Sequence, residues 1–169
     1  MDRDTLECLI HAFITTKLDY CNALLCGLPA VLIDRLQRVQ NIAARILTRS
    51  AKHDHITPIL SSLHWLPIQQ RVKYKILVLV FKAMNNMAPI YLQELLSHRV
   101  SVRGLRSNDQ NFLYVPFTKS SLMQNRAFSF AAPGLWNRLP NTLRICSSLL
   151  EFKSKLKTHL FAEFYYTSH

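Results

Sequence analysis

Four arginines in the first third of the chain recur at spacings that place them on one side of an α-helix. On a helix with 3.6 residues per turn, the four side chains project within about 80° of one another around the axis. They are Arg35, Arg38, Arg45 and Arg49. Guanidinium groups in a row suit the phosphates of a nucleic acid, because each donates charge-assisted hydrogen bonds to phosphate oxygens. The spacing therefore predicts a stripe that binds a polyanion, and a solvated helix face is the alternative that the sequence leaves open.

Three further basic residues lie along the hydrophilic strip of a later, mostly apolar segment: Arg71, Lys75 and Lys82. The whole chain has a net charge of +11 and a pI near 9.9. Asp54 is the only acidic residue between positions 35 and 93. Such an excess of positive charge attracts nucleic acids through the release of condensed counterions. We therefore predict that these three residues and the four arginines contact the backbone of RNA or DNA without reading its sequence.

The residue types needed for metal binding or catalysis form no convincing pattern. Cys21 and Cys26 with His53 and His55 come nearest to a tetrahedral zinc site, but a C-x4-C spacing on a helix is a poor chelate. Only 3 glycines are present, too few for the usual phosphate-binding loops, and there is no G-x-S-x-G nucleophile elbow. No pair of carboxylates is set to hold two metal ions. We expect no catalytic residue, metal, cofactor or small-molecule substrate.

The amino-acid composition limits the classes of protein to which this chain can belong. Hydrophobic residues make up 49% of the 169 residues, which is enough for one domain with a real core. The longest unbroken apolar run, 76–81, is far shorter than the roughly 18 residues of a membrane span. Arg3, Asp4 and Glu7 interrupt any hydrophobic signal sequence. We expect an intracellular protein, in the nucleus or cytoplasm, with no membrane partner and with reduced cysteines.

The elements that must position these residues are helices, and the longest covers about 67–87. Pro67 favours a helix start there, because the first turn of a helix has no use for its missing backbone N–H. Apolar residues at three- and four-residue steps then cover most of the circumference, which is typical of a core helix. The predicted fold class is mainly α, an irregular helical bundle around this central helix.

Shorter helices are predicted on both sides of the central one. They cover residues 5–26, with a rhythm that breaks near Asp19, and residues 29–48, 58–63 and 89–96. In the second of these, five apolar residues are expected to face inward: Leu32, Leu36, Val39, Ala43 and Ile46. A final helix over 148–165 begins with a capping box, in which Ser148 and Glu151 satisfy each other's backbone N–H groups.

The region between the helical core (1–96) and the last helix is predicted to be irregular. Within 97–147, residues 101–111 form a polar, basic loop. Residues 112–117 and 126–131 are predicted to be extended, either as a small hairpin or as two separate segments over the helices. Trp65 and Trp136 can stack on bases, but their apolar neighbours favour packing in the core.

Several long motifs, in a fixed order, together cover nearly the whole chain. They are LDYCNALLCGLP (18–29), DRLQRVQNIAARILT (34–48), DHITPILSSLHWLPIQQRVKYKI (54–76), FKAMNNMAPIYL (81–92), LRS (105–107), RAFSFAAPGLWNRLP (126–140) and FKSKLKTHLF (152–161). This series resembles the carboxy-terminal region of the polyprotein of LINE-type, non-LTR retrotransposons, particularly the jockey-like group. In that family the region lies downstream of the reverse-transcriptase palm, at or beyond the thumb.

The resemblance implies a parent protein that nicks target DNA and copies its own RNA at the nick. This chain has no Tyr-x-Asp-Asp motif and no endonuclease segment, so we expect a fragment of a larger polyprotein that is not itself an enzyme. The function predicted is a non-catalytic, basic helical module that contacts template RNA or target DNA. The alternatives are a docking module that supports an upstream reverse-transcriptase domain, in which the charge only keeps the surface soluble, and a truncated relic without activity.

Overall fold

The computed structural model describes residues 2–99, 111–120 and 126–166, and this part of the chain is mainly helical, as predicted. Its contacts divide the chain into two compact units. The first unit comprises Met1–Val72 and Leu160–His169, and the second comprises Lys73–His159. The predicted loop at 101–111 lies outside the described residues except for Asn111.

The first unit begins with a helix that ends at Asp19, where the sequence pattern predicts a break. Helix α1, Arg3–Ile10, is capped by the Asp2 carboxylate and continues through a π-helical turn, His11–Thr15, into the short α2, Thr16–Asp19. The helix ends there because Tyr20 is extended and Cys21 adopts a left-handed φ of 51°. A 3-10 turn follows, Asn22–Leu25. The predicted helix over 5–26 is therefore several short pieces.

Helix α3, Ala30–Thr48, matches the predicted bounds, but it packs through a different face. Of the five residues expected to face inward, Ala43 is buried and Leu36 is half-buried, whereas Leu32, Val39 and Ile46 are between 41% and 51% exposed. The buried residues are Gln40, Ala43, Ala44 and Leu47. Two alanines let a neighbouring helix approach closely, and the Gln40 amide has a buried hydrogen-bond partner. The face that carries these residues is therefore buried in preference to the more apolar face.

The core of the first unit joins α1, α3 and α4, Ile56–Ser62, with the segment that leads into the next helix. Helix α4 starts two residues before the predicted position 58, and Pro58 lies in its first turn, where no N–H is needed. Trp65 is 8% exposed, which confirms its predicted packing role. The buried cluster is made of Ile10, Ala43, Ala44, Leu47, Leu60, Trp65 and Tyr165.

Helix α5, Ile68–Met84, is the predicted central helix. Its first N–H, that of Ile68, donates to the Gln37 side-chain oxygen at 2.9 Å, which satisfies a group that a helix start leaves without a partner. The helix stops three residues before the predicted end, where Asn86 takes a φ of 57° and the Met87 N–H bonds back to the Lys82 carbonyl. Its buried residues include Ile68, Val72, Ile76, Leu77, Val80 and Phe81.

The second unit contains the predicted short helix after Pro89, α6 (Ile90–Gln93), and a helix where extended structure was expected. Residues 126–131 were predicted as a strand or extended segment, but Phe128–Asn137 is helix α7. The hairpin prediction is therefore wrong. Residues 112–117 have no regular secondary structure apart from Leu113, which forms an isolated antiparallel bridge with His98. Helix α8, Asn141–Arg144, follows.

The core of the second unit is aromatic. Phe81 stacks on Phe152 with ring centroids 4.4 Å apart, and Trp136 packs against Phe152 at 5.7 Å. Phe152 belongs to helix α9, Leu149–Tyr165, which begins as predicted, with the Ser148 hydroxyl accepting from the Glu151 N–H at 3.2 Å. The Trp136 indole donates to the Asn111 carbonyl at 2.8 Å. The burial of the Trp136 side chain confirms its predicted packing role.

Candidate nucleic-acid interface

Helix α3 carries three of the four predicted arginines on its solvent side, and the fourth, Arg49, follows directly as the C-cap of the helix. Arg35, Arg38 and Arg49 are exposed and Arg45 is half-buried. The buried positions Gln40, Ala43, Ala44 and Leu47 lie on the opposite side of the helical wheel, so packing of α3 against the core turns the arginines outward. The predicted stripe therefore consists of three arginines on one side of α3 and a fourth just beyond its carboxyl end.

The same surface is more apolar than the sequence analysis anticipated. Five large apolar side chains on α3 are at least 41% exposed: Val31, Leu32, Val39, Ile42 and Ile46. On the helical wheel Ile42 falls inside the arc of the arginines, and Ile46 and Val39 fall at its edge. We call this set of arginines and apolar residues the mixed face of α3. A surface whose only task was solubility would not need these apolar groups.

At its carboxyl end the mixed face borders a groove of about 560 Å³. Its lining residues are Arg38, Asn41, Ile42, Arg45, Ile46, Ser50 and Lys52. The segment after the helix forms one side of the groove because Arg45 Nη2 donates to the Asp54 carbonyl at 3.1 Å. The Asp54 carboxylate in turn accepts from the Ala51 N–H at 2.7 Å, which closes the turn over 51–54.

The charge of this surface is almost entirely positive. Asp34 and Asp54 are the acidic residues of the segment that contains α3 and the turn after it, against four arginines and Lys52. Among the described residues, no carboxylate forms an ion pair with Arg35, Arg38 or Arg49. The Arg45 Nε–H is buried and has no hydrogen-bond partner in that same part of the chain. The arginines are therefore not neutralised by the described acids around them.

The three other predicted contact residues lie in different surroundings. Arg71, in the first unit, is only 19% exposed, and its Nη1 lies 3.4 Å from the Asp19 carboxylate. This ion pair competes with any contact to phosphate. Lys75 is exposed and Lys82 is half-buried, and both belong to the second unit. The structure thus assembles the four α3 arginines, whereas Arg71 pairs within its own unit.

Sequence reasoning missed the residues that make the groove concave. Lys52, Asn41 and Ser50 line it, and only Lys52 carried a signal, since it is the third cation after Arg38, following Arg45 and Arg49. Ser50 joins Thr48 through their hydroxyls at 2.7 Å, and Asn41 accepts from the Gln37 amide at 2.8 Å. Lys52 lies in the turn at 51–54, which periodicity does not reveal.

The described residues offer no alternative chemistry at a metal centre. Among them, no group of three or more His, Cys, Asp or Glu side chains is placed to hold a metal ion. Cys21 is exposed, and burial raises the pKa of the Cys26 thiol, which favours the neutral form over the thiolate that a metal needs.

In the described part of the chain, no helix has both the length and the apolar character required to cross a bilayer.

Comparison of the chain with protein-family models, with curated proteins and with solved structures gave no match.

Proposed function

We propose that this chain is a non-catalytic module that holds the phosphate backbone of RNA or DNA on the mixed face of α3. Its sequence motifs resemble the region downstream of the palm in LINE-type reverse transcriptases, and a tail of that kind would hold template RNA or target DNA near a polymerase that lies elsewhere in the polyprotein. The observation that carries the proposal is the row of three arginines on the solvent side of α3, with Arg49 at its carboxyl end.

The backbone at the end of α3 supports a role for Arg49 beyond solubility. Arg49 has a φ of 54°, in the left-handed region, and its N–H and that of Ser50 close the helix by bonding back to Ile46 and Arg45. Glycine is the usual residue at this position, because a side chain there costs on the order of 1 kcal/mol. An arginine kept at that cost is consistent with a contact that needs its charge.

The test is the salt dependence of binding. Replacing the four arginines by glutamine removes four phosphate contacts, and each contact contributes about 0.7 to 0.9 to the slope of log K against log salt. We expect the slope to flatten by about 3 and the affinity at low salt to fall. Fluorescence anisotropy with labelled single-stranded RNA, an RNA hairpin and duplex DNA, titrated across several salt concentrations, measures both.

A matched control separates this surface from total charge. Four exposed cations of the second unit are replaced by glutamine in one variant: Lys119, Arg126, Arg138 and Lys157. Both variants have the same net charge. If the control flattens the slope as much as the α3 variant, binding reflects bulk charge alone, and the assignment to α3 is wrong.

The exposed apolar side chains of α3 favour a second candidate, a docking module that supports a reverse-transcriptase domain. On this account the mixed face is covered in the parent protein, and Val31, exposed to 64%, and Ile42, exposed to 58%, are part of the covered area. The isolated chain would then bind hydrophobic dyes or self-associate. It would also bind nucleic acid no more tightly than the α3 glutamine variant does.

A further inference from the structure

The groove at the end of α3 combines two kinds of chemistry that a phosphate backbone alone does not use together. Arg38, Arg45 and Lys52 supply positive charge at its rim. Ile42 and Ile46, one helical turn apart and both more than half exposed, supply an apolar floor. A site that bound phosphate only would leave these two isoleucines against a hydrated polyanion, which gains nothing from apolar contact.

We propose that this groove receives one nucleotide of a single-stranded nucleic acid, with the phosphate against Arg38, Arg45 and Lys52 and the unpaired base against Ile42 and Ile46. The inference rests on the proposed function and specifies which nucleic acid that function takes. A volume of about 560 Å³ lies within the range of sites that bind small organic groups. The faces of unpaired bases pack against aromatic or apolar side chains, and this contact tolerates any sequence.

A duplex does not offer the same pair of contacts. Its bases are stacked inside the helix, so that the surface presented to a shallow groove is sugar and phosphate. A single strand exposes phosphate and base together, within one nucleotide. Asn41 and Ser50, at the polar part of the lining, add an amide and a hydroxyl that can hydrogen-bond to a sugar or to a base edge.

An acidic amphipathic helix of a partner protein would also match the charge, but it matches the floor less well. Helices that dock in grooves use apolar anchors over two turns or more, at positions i, i+3, i+4 and i+7. Of the exposed apolar residues on α3, only Ile42 and Ile46 line the groove itself; they lie about 6 Å apart along the helix axis, and a contact of this size fits a flat ring. A single strand is therefore the occupant that the observations favour.

The experiment compares three ligands of equal length with the full chain: a single-stranded oligonucleotide, the same strand with abasic sites at every position, and a blunt duplex. All three carry phosphates, but only the first exposes bases. We expect the intact single strand to bind roughly five- to tenfold more tightly than its abasic counterpart, the lower part of the range for a base packed on a side chain. Equal affinity for the two single strands would overturn the inference.

Two variants locate the effect. Ile42→Asn together with Ile46→Asn makes the floor polar at exposed positions, and this variant should lose the preference for the intact strand while its salt slope stays unchanged. The matched control, Val31→Asn with Val39→Asn, alters two other exposed apolar residues of α3 that do not line the groove, and it should keep the preference. If the floor variant still prefers the intact strand, the isoleucines do not contact a base.

The outcomes separate this inference from the function on which it rests. Binding that depends on the four arginines but not on Ile42 and Ile46 would retain phosphate contact on α3 and reject the nucleotide site. Absence of binding by any nucleic acid at low salt would reject both. Displacement of the single strand by a synthetic Glu- and Leu-rich amphipathic helix that binds more tightly than the strand would reject the nucleotide site in favour of a protein partner.

Discussion

The buried hydroxyl of Tyr165 leads to a prediction about stability at high pH. It donates to the Trp65 carbonyl at 2.7 Å, in a residue that is 9% exposed, and burial raises its pKa to about 12. Between about pH 10 and pH 12 the unfolded chain therefore ionises this group while the folded chain does not. Unfolding then releases a proton, so stability falls as pH rises. Below about pH 10 the contribution of the Tyr165 hydroxyl to the free energy of unfolding is fully present.

The size of the effect follows from the interval between the two pKa values. Each pH unit in that interval costs about 1.4 kcal/mol, so that roughly 2–3 kcal/mol is lost across it. In Tyr165→Phe the hydrogen bond is absent, which costs about 1–2 kcal/mol because the Trp65 carbonyl is left buried without this donor. The wild type should be the more stable protein near pH 8, and the two proteins should become equally stable near pH 11.

Urea denaturation followed by far-UV circular dichroism, in the presence of a thiol reductant, measures the difference at several pH values from 8 to 11. The control is Tyr166→Phe, since Tyr166 is the adjacent tyrosine and is 73% exposed. That variant should follow the wild type throughout. If Tyr165→Phe shows the same fall in stability with pH as the wild type, then Tyr165 is not the titrating group and the reasoning is refuted.

Three further substitutions test the structure at single positions. Arg49→Gly replaces an arginine in the left-handed conformation by the residue that adopts this conformation without strain. Urea denaturation should therefore show unchanged stability or a gain of up to about 1 kcal/mol. The salt slope of nucleic-acid binding should fall by about 1. Asn137 accepts from the Leu113 N–H and donates to the Leu113 carbonyl, and Asn137→Asp, which cannot donate, should lose about 1–3 kcal/mol in thermal denaturation. The Arg144 guanidinium lies 3.9 Å from the Phe112 ring centre, is buried, and has two nitrogens without partners among the described residues. Arg144→Met should therefore equal the wild type or exceed it by about 1 kcal/mol, and a clear loss in urea would show that the charge is paired.

The helices that were predicted well carry their own local signals. Helix α5 has a proline before its start and apolar residues around most of its circumference, so neither neighbours nor partners are needed to recognise it. Helix α9 has a serine cap. The segment at 126–131 was ambiguous because two phenylalanines two residues apart suggested a strand. A longer window shows Phe128, Ala132 and Trp136 at four-residue steps, the period of the helix that forms.

The buried face of α3 could not be read from the sequence because a distant group decides it. Gln40 is 2% exposed and donates to the Leu66 carbonyl at 3.0 Å, 26 residues further along the chain. Without that partner a glutamine belongs at the surface, and Val39 or Ile46 belongs inside. The arginines of the candidate site were predictable because exposure is their default. The groove could not be predicted from the sequence, because it depends on the turn that Asp54 closes.

The two glutamines of α3 also determine which pieces of this chain can exist alone. Gln37 supplies the acceptor for the first amide of α5, and Gln40 supplies the donor for the carbonyl just before it. The beginning of one helix is thus completed by side chains of another. A proteolytic fragment or chimera that starts after residue 50 would expose α5 with a frayed first turn. A chimera that keeps α5 should therefore be more stable when it also keeps α3.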